Sequence, residues 1–113
     1  MQVKAKTRFL PISSQKLALV CDKVRGMGVE EALVVLNYMP QKGAEFVRKT
    51  VASAMANAEN NFELQRDDLF IAEIWSGEGP RLKRYKAGAR GRYKPRVRRL
   101  SHLWVTLEER EDS

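Results

Sequence analysis

Apolar residues recur at the spacing of amphipathic helices in three stretches of the first half of the chain. Ser13 or Ser14 can cap the first stretch, Glu30 and Glu31 open the second, and the third runs over about residues 42–60. The side chains that this pattern places on the inner faces are Leu17, Val20, Cys21, Val24, Val29, Ala32, Leu33, Leu36, Ala44, Val47, Val51, Ala54 and Ala58. The alanines of the third stretch predict close packing against a neighbouring element.

Strand patterns occupy residues 3–10, 69–75 and 103–107. The last two flank a stretch that contains Gly88 and Gly91, where a tight turn can form, so we expect them to pair as the base of one hairpin over about residues 77–102. The predicted fold class is α+β, with three helices packed on a small antiparallel sheet and a long, protruding, basic β-hairpin. Residues 1–113 are expected to form a single domain, because a chain of this length rarely builds two cores.

Charge is concentrated in that hairpin. The chain carries a net charge of +7, and of its 21 basic residues ten lie within residues 81–99, which leaves 11 against 14 acidic residues elsewhere. Residues 81–99 include no acidic residue and are charged on both alternating faces, so they have no apolar face to bury. RNA supplies the counter-charge and contact surface that would order it, and Tyr85 and Tyr93 add aromatic planes. A solvated charged arm and an arm for DNA or another polyanion are the alternatives.

Other chemistries have little support. His102 is the only histidine, and residues 81–99 have no carboxylate, so neither an enzyme nor a metal site is expected, and no cofactor is needed. Cys21 lies on an apolar stripe, which indicates packing, and a single cysteine allows no intrachain disulfide. The alternating pattern of residues 1–9 does not resemble a signal peptide, and no apolar run has the length of a membrane span. We therefore expect a cytoplasmic protein without membrane contact.

Trp75 and Trp104 fall in the two strands that flank the basic segment. Cross-strand packing or covering of the sheet is favoured for them over stacking on bases. The sequence shows neither a recognition helix nor an aromatic sheet platform, the modules that a free nucleic-acid-binding regulator commonly uses.

An ordered set of short motifs carries a resemblance that covers essentially the whole chain, from residue 4 to residue 106. The motifs are Ser13-Ser14-Gln15-Lys16, Val24-Arg25-Gly26, Ala56-Asn57-Ala58-Glu59-Asn60-Asn61, Glu78-Gly79-Pro80, Leu82-Lys83-Arg84, Ala89-Arg90-Gly91-Arg92, Arg99 and Ser101-His102. In this order they resemble the L-twenty-two family of bacterial large-subunit ribosomal proteins. No single motif is specific, but the ordered set is.

The resemblance implies a structural constituent of the large ribosomal subunit that binds 23S-type rRNA and aids assembly, with a hairpin lining the nascent-peptide exit tunnel. Implied partners are this rRNA, neighbouring large-subunit proteins at the tunnel and the transient nascent peptide. The RNA-binding residues implied are Lys4, Lys6, Arg8, Ser14, Lys16, Arg25, Arg81, Lys83, Arg84, Lys86, Arg90, Arg92, Lys94, Arg96, Arg98, Arg99, Ser101 and His102. The tunnel-facing tip would comprise Ala89, Arg90, Gly91, Arg92 and Tyr93. A free basic RNA- or DNA-binding regulatory protein is the alternative.

Two departures from the family pattern lie in and beside the hairpin. Gly77 stands where the family usually has aspartate before Glu-Gly-Pro, which predicts a looser entry to the hairpin. After the tip glycine the chain reads Arg92-Tyr93-Lys94-Pro95 where Arg-Ala-Asp is common. Because proline lacks a backbone donor, irregular strand pairing is expected near Pro95.

Overall fold

The computed structural model describes the backbone of residues 2–87 and 93–109, and the side chains of these residues outside 80–99. Along the described chain the helices are α1 (Ser14–Val24), α2 (Val29–Tyr38) and α3 (Lys42–Phe62), and the strands are β1 (Gln2–Leu10), β2 (Leu69–Ala87) and β3 (Tyr93–Glu109). A short 3₁₀ turn, Arg66–Asp68, precedes β2. The predicted α+β class is confirmed, with three helices on a small antiparallel sheet.

Local chemistry accounts for the ends of α1. Ser13 is the N-cap, and its Oγ accepts a 3.4 Å hydrogen bond from the backbone N–H of Lys16. Beyond the C-terminus, Gly26 adopts a left-handed φ of 84°, which glycine reaches without a side-chain clash. Its N–H then donates to the carbonyl of Ile71 at 2.9 Å, and the N–H of Ile71 donates to Met27 at 2.9 Å. The link between α1 and α2 is thereby fixed to β2.

The sheet has the order β1-β3-β2, and both pairings are antiparallel. The predicted pairing of the strands that flank the basic segment is confirmed, for example Ile71 with Leu107 and Ile74 with Val105. The register shifts between Ile71 and Glu73. As a result, Ile71 and Ile74 both reach the core although they are three positions apart. A second shift in β2 falls between Glu78 and Arg81.

Pairing in the basic segment is more regular than the sequence predicts. The register runs without a shift from Arg81 opposite Arg99 to Ala87 opposite Tyr93, and Tyr85 lies opposite Pro95. The expected irregularity at Pro95 was therefore wrong. The partner of β3 on its other side, β1, pairs no further than Ser101, so Pro95 lies where β3 is an edge strand and a missing donor is tolerated.

The three helices pack on one face of the sheet. Every side chain predicted for their inner faces is buried except Leu33, which is half-buried at the margin of the core. The strands contribute Val3, Leu10, Leu69, Ile71, Ile74, Leu103, Val105 and Leu107. Burying each large aliphatic side chain stabilises the fold by roughly 1.5–3 kcal/mol before entropy is counted. A 2.8 Å hydrogen bond between the hydroxyls of Thr7 and Thr50 joins β1 to α3 within this layer.

Candidate RNA interface

The paired arms of β2 and β3 bring like charges into register. Arg81 lies opposite Arg99, Arg84 opposite Arg96, and Lys86 opposite Lys94. Directly opposed like charges destabilise an antiparallel pair, so pairing of the arms in this register carries an electrostatic cost. A polyanion that binds these cations removes the cost. The other predicted RNA-binding residues of the arms are Lys83, opposite Val97, and Arg98, opposite Leu82.

The predicted tip falls almost entirely outside the described residues. Ala89, Arg90, Gly91 and Arg92 belong to the segment 88–92, which the structure does not describe. Tyr93 is the first residue of β3, and its backbone lies opposite Ala87. The tip residues predicted to bind RNA and to face the tunnel stay predictions.

Three cationic residues predicted to bind RNA lie along β1. Lys4, Lys6 and Arg8 alternate with Val3, Ala5 and Thr7, so they lie on the face of the sheet opposite the helices, and all three are exposed. The ammonium of Lys6 lies 4.9 Å from the ring centroid of Trp104, a cation–π geometry. This strand therefore presents a row of positive charge on the outer face of the sheet.

Aromatic rings occupy the same outer face. Trp75 and Trp104 are opposite one another in the β2–β3 register, and their rings stack with centroids 3.9 Å apart and an interplanar angle of 12°. The expectation that they cover the sheet is confirmed, but Trp75 is 50% exposed. The sequence did not predict that the two indoles stack, because their approach depends on the register of strands that are distant in the chain.

His102 continues the aromatic row toward β1. Its ring meets Trp104 edge-on at 5.7 Å and Phe9 edge-on at 5.1 Å. Its Nδ1 accepts a 3.1 Å hydrogen bond from the backbone N–H of Phe9, which fixes the ring. Phe9 has a left-handed φ of 59° at the register shift in β1, and its side chain is exposed. His102, predicted to bind RNA, is thus half-buried between two aromatic rings with its Nδ1 engaged.

The predicted contacts on α1 are divided between its two ends. Ser14 begins the helix and its carbonyl accepts a 3.0 Å hydrogen bond from Ser76 Oγ, while Lys16 is exposed two residues later. Arg25 at the other end donates to Asp22 Oδ1 and to the carbonyl of Ile74, both at 2.7 Å. The guanidinium of Arg25 therefore joins α1 to β2. A contact between Arg25 and RNA would have to use the guanidinium N–H groups that these two hydrogen bonds do not engage.

Ser101 was predicted to bind RNA, but its position in the fold does not fit that role. Its side chain is fully buried, and its Oγ donates to the carbonyl of Ile12 under the loop before α1. This buried hydrogen bond ties β3 to the loop before α1, which is a structural role. Ser101 does not offer its side chain to RNA in this fold.

The other reactive groups have packing roles. Cys21 is buried in the core, and desolvation by burial raises the pKa of its thiol from 9.0 to about 11, so it is protonated at neutral pH and is a poor nucleophile. Among the described side chains, no three histidine, cysteine or acidic residues come together as a metal site would require. None of the helices in the described part of the chain has the length and apolar character to span a membrane.

Comparison with known sequences gives a consistent answer. A model of the family described as "Ribosomal protein L22p/L17e" matches residues 5–108. The chain is 42% identical to the large ribosomal subunit protein uL22 of Finegoldia magna, with 98% of this chain and 99% of that protein aligned. It is 46% identical to the protein of the same name from Chloroflexus aggregans, with 99% of each chain aligned, and 42% identical to that of Clostridium tetani.

These matches extend over the helices, the sheet and both basic arms, so they concern the whole architecture described above. The order of motifs from Ser13 to His102 and the measured similarity point to the same relatives, which confirms the resemblance drawn from the sequence. The chain belongs to the ribosomal protein L22p/L17e family.

Proposed function

We propose that this chain is a structural, non-enzymatic constituent of the large ribosomal subunit and that it binds large-subunit rRNA. One observation carries the proposal: the register of β2 and β3 opposes three pairs of like charges in a segment with no acidic residue. The opposed charges destabilise the paired arms, and a dense array of negative charge such as folded rRNA offsets that repulsion. The relatives named large ribosomal subunit protein uL22 support the same role.

The mechanism is neutralisation of charge together with shape. Lysine and arginine side chains that contact phosphates release condensed counterions, so binding contributes the free energy that orders the arms. A rigid core of three helices and a sheet fixes where the arms begin. One protein can then hold separate RNA segments together during assembly, with neighbouring large-subunit proteins as further partners.

The finer parts of the proposal concern the hairpin. We infer a single domain over residues 1–113 with an extended hairpin at about residues 77–102, whose tip lines the nascent-peptide exit tunnel. The ten cations of residues 81–99 support burial of the arms in RNA. The tip from residue 89 to Tyr93 would then face the lumen and meet the nascent peptide. The compartment is the cytoplasm, where such ribosomes work.

The test is incorporation of the full chain into ribosomes. A tagged chain is expressed in a bacterium, and large subunits are separated on a density gradient and washed in high salt. We expect about one copy per large subunit after the wash. Recovery of the chain only in the light fractions, bound to free RNA or DNA, would favour a regulatory protein and contradict the proposal.

A further inference from the structure

The outer face of the sheet holds a column of stacked side chains that ends at a partly exposed indole ring. Lys6 on β1 lies over Trp104 on β3, and Trp104 stacks on Trp75 on β2. Since β2 is an edge strand and Trp75 is half-exposed, the column stops at a ring with unused aromatic surface. The two indoles hold each other in place, so that surface is preorganised.

Gly77 makes this stack possible. A Cβ at Gly77 would lie 2.9 Å from Cζ3 of Trp104, which is closer than a Cβ normally approaches another atom, 3.2 Å from Cη2 of the same ring, and 3.7 Å from Cζ3 of Trp75, an ordinary contact. The indole of Trp104 therefore lies over the bare backbone of Gly77. Gly77, at the entry to the hairpin, thus leaves the space that the ring of Trp104 occupies.

A cavity of about 380 Å³ adjoins the indoles and combines three kinds of surface. Trp75 and Trp104 line it with aromatic carbon, Lys4 and Lys6 with positive charge, and Glu73 with a carboxylate acceptor. Strands in a sheet lie about 4.8 Å apart, so the lysines of β1 are about 10 Å from β2, across the central strand. This arrangement offers separate places for a flat base and for a phosphate.

We propose that this face is a stacking site for an unpaired RNA nucleotide, whose base packs on Trp75 and whose phosphate pairs with Lys4 or Lys6. Aromatic rings beside cations are the surface that single-stranded RNA recognition uses, because every base has a π-face and every nucleotide a charge. Glu73 suits the amino groups of adenine, guanine or cytosine as an acceptor. Exposed Lys4, Lys6 and Arg8 along the same face favour RNA over an apolar protein partner.

The proposal rests on the proposed function, because it assigns one further part of the rRNA contact to the core of the protein. The chain itself offers a selective probe: it has two tryptophans, and both belong to the stack. Indole fluorescence therefore reports on this site and not on the basic arms. The experiment titrates the full chain with a short unstructured RNA and with large-subunit rRNA, and records both fluorescence and binding.

We expect quenching of indole fluorescence as the short RNA binds. Trp75→Ala should weaken that binding roughly 5- to 150-fold, the range of one stacked base, while Trp75→Phe should retain most of it. Tyr38→Ala is the matched control, because Tyr38 is an exposed aromatic residue of α2 outside this face, and it should bind like the parent chain. Thermal unfolding of each variant verifies that the fold is intact.

Three results would overturn the stacking site. Binding that saturates without any change in indole fluorescence would place the RNA elsewhere, and so would a Trp75→Ala variant that binds as tightly as Tyr38→Ala. A blue shift without quenching, seen only when ribosomal proteins are added, would assign the face to a protein partner instead. In each case the parent chain would still bind rRNA and enter large subunits, whereas failure of the proposed function would abolish both.

Discussion

Trp104 and Gly77 illustrate how single residues depend on each other across the sheet. Trp104 lies opposite Trp75 in the β2–β3 register, and its ring extends over Gly77, two positions further along β2, where no side chain fills that space. Gly77 has no left-handed φ, so its backbone would accept alanine and the cost of substitution is purely steric. This separates the effect of crowding from that of backbone strain.

Gly77→Ala should therefore destabilise the protein by about 1–3 kcal/mol, the usual range for overpacking. In a Trp104→Ala background the same change should be neutral or slightly stabilising, because the crowding is gone and alanine lowers the entropy of the unfolded chain. Denaturant unfolding of the four proteins gives the coupling energy. Equal costs in both backgrounds would show that Gly77 serves some other purpose than seating Trp104.

Cys21 supplies a second test at the residue scale. Its thiol has a pKa of about 11 in the folded protein against 9.0 when exposed, because burial disfavours the thiolate. The stability that this shift contributes is fully present below pH 9 and is lost as the pH rises through 11. Cys21→Ala should therefore lower stability at pH 7 but make it less sensitive to pH between 9 and 11. Urea unfolding at several pH values measures the difference, and parallel curves for the two proteins would contradict the buried neutral thiol.

At the scale of elements, the sequence predicts what depends on local pattern. The inner faces of the three helices follow from their periodicity, and the pairing of 69–75 with 103–107 follows from the glycines between them. The register shifts cannot be read from the local pattern. A regular strand would bury every second residue, whereas the shift in β2 buries both Ile71 and Ile74, and packing against helices that are distant in the chain decides between the two arrangements. For the same reason the stacked indoles and the buried hydroxyl of Ser101 were missed. Each depends on which residue a distant strand or loop brings opposite.

The opposed charges of the arms give a prediction in which two properties change in opposite directions. Replacing Arg84 and Arg96 by alanine removes one like-charged pair, so the arms of the free protein should pair more firmly and their amides exchange more slowly. RNA binding should weaken nevertheless, and the slope of log K against log salt should become shallower by roughly 1.4–1.8.

Lys23→Ala with Lys42→Ala is the matched control for that experiment. Both lysines are exposed on helices, so the net charge falls by the same amount without touching the arms. This control should leave arm exchange unchanged and alter the salt slope less. If both double variants shifted the slope equally, net charge and not the paired arms would govern binding, and the assignment of Arg84 and Arg96 as phosphate contacts would fail.

The molecule as a whole is extended, with dimensions of 69 × 26 × 19 Å. Its radius of gyration of 17.3 Å exceeds the value of about 13 Å for a compact chain of this length, as an arm that leaves the core would produce. Seven consecutive pairs from Arg81 to Ala87 account for roughly 20 Å of that arm. The positive charge is carried there, while the remainder of the chain is slightly acidic. These features support the proposed separation of a folded anchor from a charged arm.

This separation predicts different tasks for the arms and the tip. Arm residues can neutralise many phosphates at once, whereas a tip that reaches a lumen has water or peptide on one side and contributes fewer such contacts. Deleting residues 88–91 and rejoining the arms with a two-residue turn should leave incorporation into large subunits nearly intact. It should change the response to macrolides or peptide-dependent stalling, which gradient profiles and drug titration measure. The opposite result would be loss of incorporation, with unchanged drug response and stalling in the ribosomes that do form. The tip would then be an assembly element, because its contacts would be needed for RNA folding and not for the passage of peptide.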